Sequence, residues 1–124
     1  MEGMESRAGV RVKMDANAMV DIDMAMKENV RTLRASKKAE ILDVSCVGLG
    51  LMAPIYFPKG IMAVIDVDAS TFNTEKPSRI IGEVRYCQQV KEGKYRLGVR
   101  FVEIEKPLLA KITEYVEHNK DKAV

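Results

Sequence analysis

Apolar and polar positions alternate along most of the chain. Val10, Val12 and Met14 are apolar while Arg11, Lys13 and Asp15 are charged, the period-2 pattern of a strand with one wet face. Ala16-Asn17-Ala18 reads as a short turn. Val20, Ile22, Met24 and Met26, alternating with Asp21 and Asp23, predict a second strand. Lys27-Glu28-Asn29 turns the chain again, and residues 31–38 read as strand or loop. Ala39 and Ile41 flank Glu40 in a strand reaching Val44, and Leu49 and Leu51 flank Gly50 in the next. Pro58-Lys59-Gly60 marks a turn, Ile61 opens an apolar run that ends at Asp66 and Asp68, and residues 70–77 form a polar loop. Two long alternating runs, 79–89 and 94–102, are joined by Val90-Lys91-Glu92-Gly93, a hairpin signal with glycine near its tip. In the second run Tyr95, Leu97, Val99 and Phe101 share one face, and Arg96, Gly98 and Arg100 share the other.

The pattern then changes period. Pro107 suits the first turn of a helix, where its missing N–H does no harm. Leu108, Leu109, Ile112 and Val116 form a stripe at helical spacing, expected to pack on the domain's own core. Residues 119–124 fray into a charged tail. Short strands followed by one terminal helix predict a mainly β fold, a small antiparallel barrel or sandwich.

A length of 124 residues fits one domain that buries enough surface to fold without a metal or disulfide. Cys46 and Cys87 are far apart and read as free thiols. No run is long enough for a membrane span, and the acidic, polar start lacks the features of a signal peptide, so the expected location is cytoplasmic without direct membrane insertion. A net charge of +2 is too mild to argue for nucleic acid. A single-stranded nucleic-acid barrel would also want aromatic stacking platforms, whereas this chain has no Trp and 6% aromatics. Enzyme chemistry has no support: there is no nucleophile–His set, acid/base pair or phosphate-binding loop, and His118 is alone on the terminal helix. The eight methionines read as core filling. Basic residues gather in two places, Arg7, Arg11 and Lys13, and then Arg31, Arg34, Lys37 and Lys38.

The second basic group leads into Asp43-Val44-Ser45-Cys46-Val47-Gly48, a carboxylate, a hydroxyl and a glycine at the joint between two strands. The joint asks for a residue that tolerates unusual backbone angles, and Gly48 fits. Upstream, Arg7-Ala8-Gly9-Val10-Arg11 spaces two arginines as R-x-x-x-R. Together with Gly82-Glu83-Val84 and the closing Gly98-Val99-Arg100-Phe101, this ordered pair of motifs resembles the PilZ domain, the bacterial receptor module for cyclic di-GMP. The resemblance covers nearly the whole chain. It implies a six- or seven-stranded antiparallel β-barrel over residues 10–119, with its C-terminal helix at about 106–118. Residues 1–9 would be a flexible switch segment and 120–124 a tail.

The resemblance also implies a non-catalytic receptor whose ligand is cyclic di-GMP, with no other cofactor and no metal, and with a downstream protein effector as partner. Motility, adhesion and exopolysaccharide synthesis are the outputs it suggests. The implied ligand-binding residues are Arg7, Arg11, Asp43, Ser45 and Gly48, with Lys13, Arg85 and Tyr86 as further candidates. The residue types suit the ligand. An arginine fork matches the O6 and N7 acceptors of guanine and can also meet a phosphate. A carboxylate accepts from guanine's N1–H and N2–H₂ donors. Arg96 and Arg100 repeat the arginine spacing but lie on one face of a strand, and they read as solvated surface. The competing expectations are an adaptor of the same fold that works without nucleotide, and the single-stranded nucleic-acid binder.

Overall fold

The computed structural model describes residues 10–22 and 36–124. Among them are six strands: β1 (Val12–Ile22), β2 (Lys37–Val44), β3 (Gly48–Ala53), β4 (Met62–Val67), β5 (Ser78–Lys91) and β6 (Lys94–Glu103). One helix, α1 (Lys106–His118), and a 3₁₀ turn (Lys120–Lys122) follow. All strand pairs are antiparallel, and the sheet closes on itself in the order β1-β2-β3-β6-β5-β4. This is a six-stranded antiparallel barrel with one C-terminal helix. Among the described strands closure covers the edges, except along the first half of β1 on the β4 side.

The expected break at Ala16-Asn17-Ala18 is absent. These residues lie inside β1, where Ala16, Asn17 and Ala18 pair with Ile41, Glu40 and Ala39. The even-numbered alternation simply continues through two small residues, and Ala18, Val20 and Ile22 are buried. A register shift between Lys13 and Ala16 puts one extra residue into β1 there. The expected strand through Met24 and Met26, the turn at Lys27-Glu28-Asn29, and Arg7, Arg31 and Arg34 lie outside the described residues. β2 begins at Lys37, two residues before the alternation made it visible.

Inward-facing Ile41, Leu49, Leu51, Ile65, Ile80 and Leu97 are fully buried, and each contributes about 1.5–3 kcal/mol of transfer free energy. Leu108, Ile112 and Val116 of α1 join the same core, while Leu109 sits half-buried at its margin. Tyr115 meets Phe72 edge to face at 5.8 Å, which ties α1 to the loop after β4. The methionines do not fill the core as expected. Among the described ones, Met14, Met52 and Met62 are half-buried and Met19 is exposed, and the barrel interior is filled by Val, Ile, Leu and Ala instead. The β5–β6 turn is tighter than the four residues expected: Glu92 and Gly93 alone connect the strands, and Gly93 has φ +76, which glycine adopts without strain.

Candidate functional site

Period 2 would put Ile41 and Asp43 on the same face, inside the barrel. The register prevents this. Ile41 pairs with Leu51 but Asp43 pairs with Gly50, so Leu42 is an extra residue that turns Asp43 outward. A second bulge does the same in β5, where Val84 pairs with Val99 and Tyr86 with Gly98, leaving Arg85 unmatched. A row of cross-strand neighbours results on the outer surface: Lys13, Asp43, Gly50, Gly98 and Tyr86, running from β1 to β5.

The two central glycines are needed because their neighbours lie flat over them. A Cβ on Gly50 would come 2.5 Å from Asp43 Oδ1, and one on Gly98 would enter the Tyr86 ring. Asp43 is the hub of the row. Arg11 Nη1 donates to its Oδ1 at 2.8 Å, and Arg96 Nη2 donates to its Oδ2 at 2.9 Å. The carboxylate is 5% exposed while the two arginine side chains keep 33% and 39% of their surface. Each guanidinium has given one donor nitrogen to Asp43, Arg96 also reaches Tyr86, and both side chains keep part of their surface open to solvent. Burial works against the charge of Arg96, but hydrogen bonds to Tyr86 and Asp43 outweigh it and hold that guanidinium above its ordinary range. Lys13, Asp43 and Arg96 line one open cavity of about 430 Å³.

Ser45 and Gly48 support this hub from behind. Ser45 is fully buried, and its Oγ accepts from the N–H groups of Val47 and Gly48, both at 3.2 Å. The Ser45 N–H donates to the Gly48 carbonyl at 2.9 Å, and Phe101 N–H donates to the Val47 carbonyl at 2.8 Å, which pins the turn to β6. The hydroxyl is therefore engaged by its own turn. Gly48 does not have the unusual backbone angle expected of it; positive φ occurs among the described glycines only at Gly60 and Gly93. Its reason is close approach, since a Cβ there would run into the carbonyl of Val99.

The structure brings Arg11, Asp43, Lys13 and Tyr86 together, with Ser45 and Gly48 forming the turn beneath them. Arg85 is elsewhere, bonded to Glu83 at 3.3 Å, and Arg7 lies outside the described residues. Arg96 was missed. Its reading as solvated surface is wrong, because three strands of pairing carry it to Asp43. The one sequence signal for it is its place two residues before an outward-facing glycine. A larger cavity, about 680 Å³, lies between residues 73–78 and the start of α1, and holds none of these groups. Among the described residues no acidic, His or Cys cluster could hold a metal ion.

A family model for the PilZ domain matches residues 5–118. The chain belongs to the PilZ domain family. Two solved structures share the fold. The Bacillus subtilis inhibitor of motility (MotI/DgrA) is similar over 88% of this chain at 12% identity and a TM-score of 0.67; this chain spans about half (48%) of the length of that one. The PilZ domain of YcgR from Escherichia coli, determined with c-di-GMP, is similar over 93% of this PilZ chain and 92% of its own length, at 11% identity and a TM-score of 0.61. No curated protein sequence matches. At these identities the two structures establish the fold of this PilZ domain, and the chemistry of its site rests on its own residues.

Proposed function

We propose that this PilZ domain is a non-catalytic receptor for cyclic di-GMP that passes the signal to a downstream protein. The observation that carries the reading is the Asp43 hub: an outward-facing carboxylate, buried between one arginine from the lead-in and one from the barrel, each with donors to spare. PilZ is a family of cyclic di-GMP receptors, and the related YcgR domain was determined with that nucleotide. A doubly anionic dinucleotide with two guanines offers what these groups recognise. Phosphates and guanine Hoogsteen edges suit the forks of Arg11 and Arg96, and guanine N–H donors suit Asp43. Lys13 adds charge and Tyr86 an aromatic face on the same row. Ser45 and Gly48 set the height and direction of Asp43.

In this reading residues 1–9 are the switch segment. Binding draws Arg7 down beside Arg11, at an ordering cost of about 1–2 kcal/mol per fixed residue. Charge-assisted hydrogen bonds of about 1.5–3 kcal/mol each offset that cost. The newly ordered segment and the barrel beneath it form the surface a partner reads. Among the described residues no helix is long and apolar enough to cross a membrane.

One observation favours the nucleotide-independent adaptor instead. Both oxygens of Asp43 and the hydroxyl of Ser45 are already satisfied within the chain. Titration calorimetry with cyclic di-GMP decides between them. Arg7→Ala and Arg11→Ala are each expected to weaken binding about tenfold or more, the worth of one charge-assisted bond. Unchanged affinity in both variants removes them from the site, and no binding by the wild-type chain leaves the adaptor.

A further inference from the structure

Arg11 stands one residue before β1, outside the sheet ladder, yet its guanidinium is fixed on Asp43. Its backbone is held from the far end of the chain. Asn119 and Lys120 carbonyls close the 3₁₀ turn by accepting from Lys122 and Ala123, at 2.8 and 3.1 Å. That turn delivers Ala123 to an antiparallel bridge with Val12, and the Val124 N–H donates to the Arg11 carbonyl at 2.9 Å. The place is open for it. β1 pairs with β4 only from Ala18 to Ile22, so the first half of β1 has a free edge on that side. Val124 then borders the same cavity as Lys13, Asp43 and Arg96. A second contact links the C-terminal unit to the site, since Cys46, inside the Ser45 turn, sits 3.8 Å from Thr113 of α1 through sulfur and hydroxyl.

We propose that residues 120–124 are a brace that positions Arg11 for the nucleotide. The proposal rests on the receptor reading above and adds the element that prepares it. With its carbonyl tied to Val124, Arg11 meets the ligand from a fixed backbone. Preorganisation of this kind raises affinity without any new ligand contact. Linkage makes the effect reciprocal: a nucleotide that fixes Arg11 also tightens the brace, so occupancy is felt at the C-terminal end of the domain.

Val124→Pro deletes the donated N–H and little else. Ala123 already has φ −61 and ψ 142, the extended conformation that a residue before proline adopts. Val124→Ala keeps the N–H and is the control. In the full chain, titration calorimetry with cyclic di-GMP should give about fivefold weaker binding for Val124→Pro, the worth of one ordinary hydrogen bond, and a change within about twofold for Val124→Ala. On an Arg11→Ala background the proline should cost nothing further, because the brace acts through Arg11. Equal affinity of the two variants overturns the proposal, as does tighter binding by Val124→Pro or an undiminished loss without Arg11. A nucleotide-free measurement separates this from the receptor reading. Nitrogen-15 relaxation of the Arg11 guanidinium should show it restrained in wild type and Val124→Ala and loosened in Val124→Pro. If the wild-type chain binds no nucleotide, the receptor reading falls, and a loosened or unchanged Arg11 in this measurement still upholds or removes the brace.

Discussion

The barrel carries two arrangements with the same formula, one carboxylate between two arginines, and they differ in burial. Asp43 receives Arg11 and Arg96 on separate oxygens, with its own side chain 5% exposed. Glu83 receives Arg85 and Arg100 on a single oxygen, at 3.3 and 2.9 Å, with its side chain 23% exposed and both arginines 55% exposed. In the second cluster water can replace either partner, and such pairs contribute little to stability. In the first, removing the acid leaves two cations on a surface shaped around it. The difference comes from the glycines. Gly50 lets the Asp43 carboxylate lie flat against β3, out of solvent, and β6 supplies Arg96 to its second oxygen. A site that must recognise an anion needs cations aimed and held, not merely present, and only the Asp43 cluster has that property.

The comparison breaks most sharply at the hub. Asp43→Ala should lower unfolding free energy by about 2–3 kcal/mol in urea titrations. That is less than the 3–5 kcal/mol for a fully buried pair, because Arg11 and Arg96 are a third exposed and rehydrate in part. The same variant should bind no cyclic di-GMP. A midpoint unchanged from wild type would put Asp43 on the footing of Glu83.

Ser45→Ala should have the next largest effect, and on stability before affinity. It strips an acceptor from two turn N–H groups, one of them the buried Gly48 N–H, for a cost of about 1–2 kcal/mol. At a temperature where the variant stays folded, its nucleotide affinity should fall by no more than about threefold. A loss matching that of Arg11→Ala would mean the hydroxyl leaves its turn to meet the ligand directly.

Much of this was legible in the sequence and some of it could not be. The β5–β6 hairpin and α1 follow from unbroken periodicities and a turn glycine, so they stand nearly where expected. β1 was divided because Ala16-Asn17-Ala18 looks like a turn, and only their unbroken pairing with β2 shows small residues continuing a strand. The candidate motif located Asp43 and Arg11, but not their geometry. Asp43 faces outward because of a bulge at Leu42, and a single extra residue leaves no mark on an apolar pattern. Arg96 was discounted because its partner is 53 residues away and reached across β3. The brace was read as a fraying tail for the same reason: one bridge and one hydrogen bond, both between chain ends, have no local signature.

The smallest expected effect sharpens the comparison from the exposed side. The hydrogen bond from Arg100 holds the Glu83 carboxyl below its usual range, burial opposes it, and Arg85 adds to it. A carboxyl depressed in the folded state stabilises the protein above its unfolded value, about 4.3, and loses that contribution as pH falls through the folded value. Glu83→Gln should therefore differ from wild type in urea midpoint only at neutral pH and low salt. The two curves should merge once the pH has fallen below the depressed folded value of Glu83, where both side chains are uncharged. They should also merge at neutral pH in about 1 M salt, where the screening length falls to about 3 Å. Nucleotide affinity should not move, because neither Arg85 nor Arg100 touches the Asp43 row. If Glu83→Gln instead costs as much as Asp43→Ala, or weakens nucleotide binding, then burial is not what sets the two clusters apart, and the glycine floor loses its role in selecting one of them.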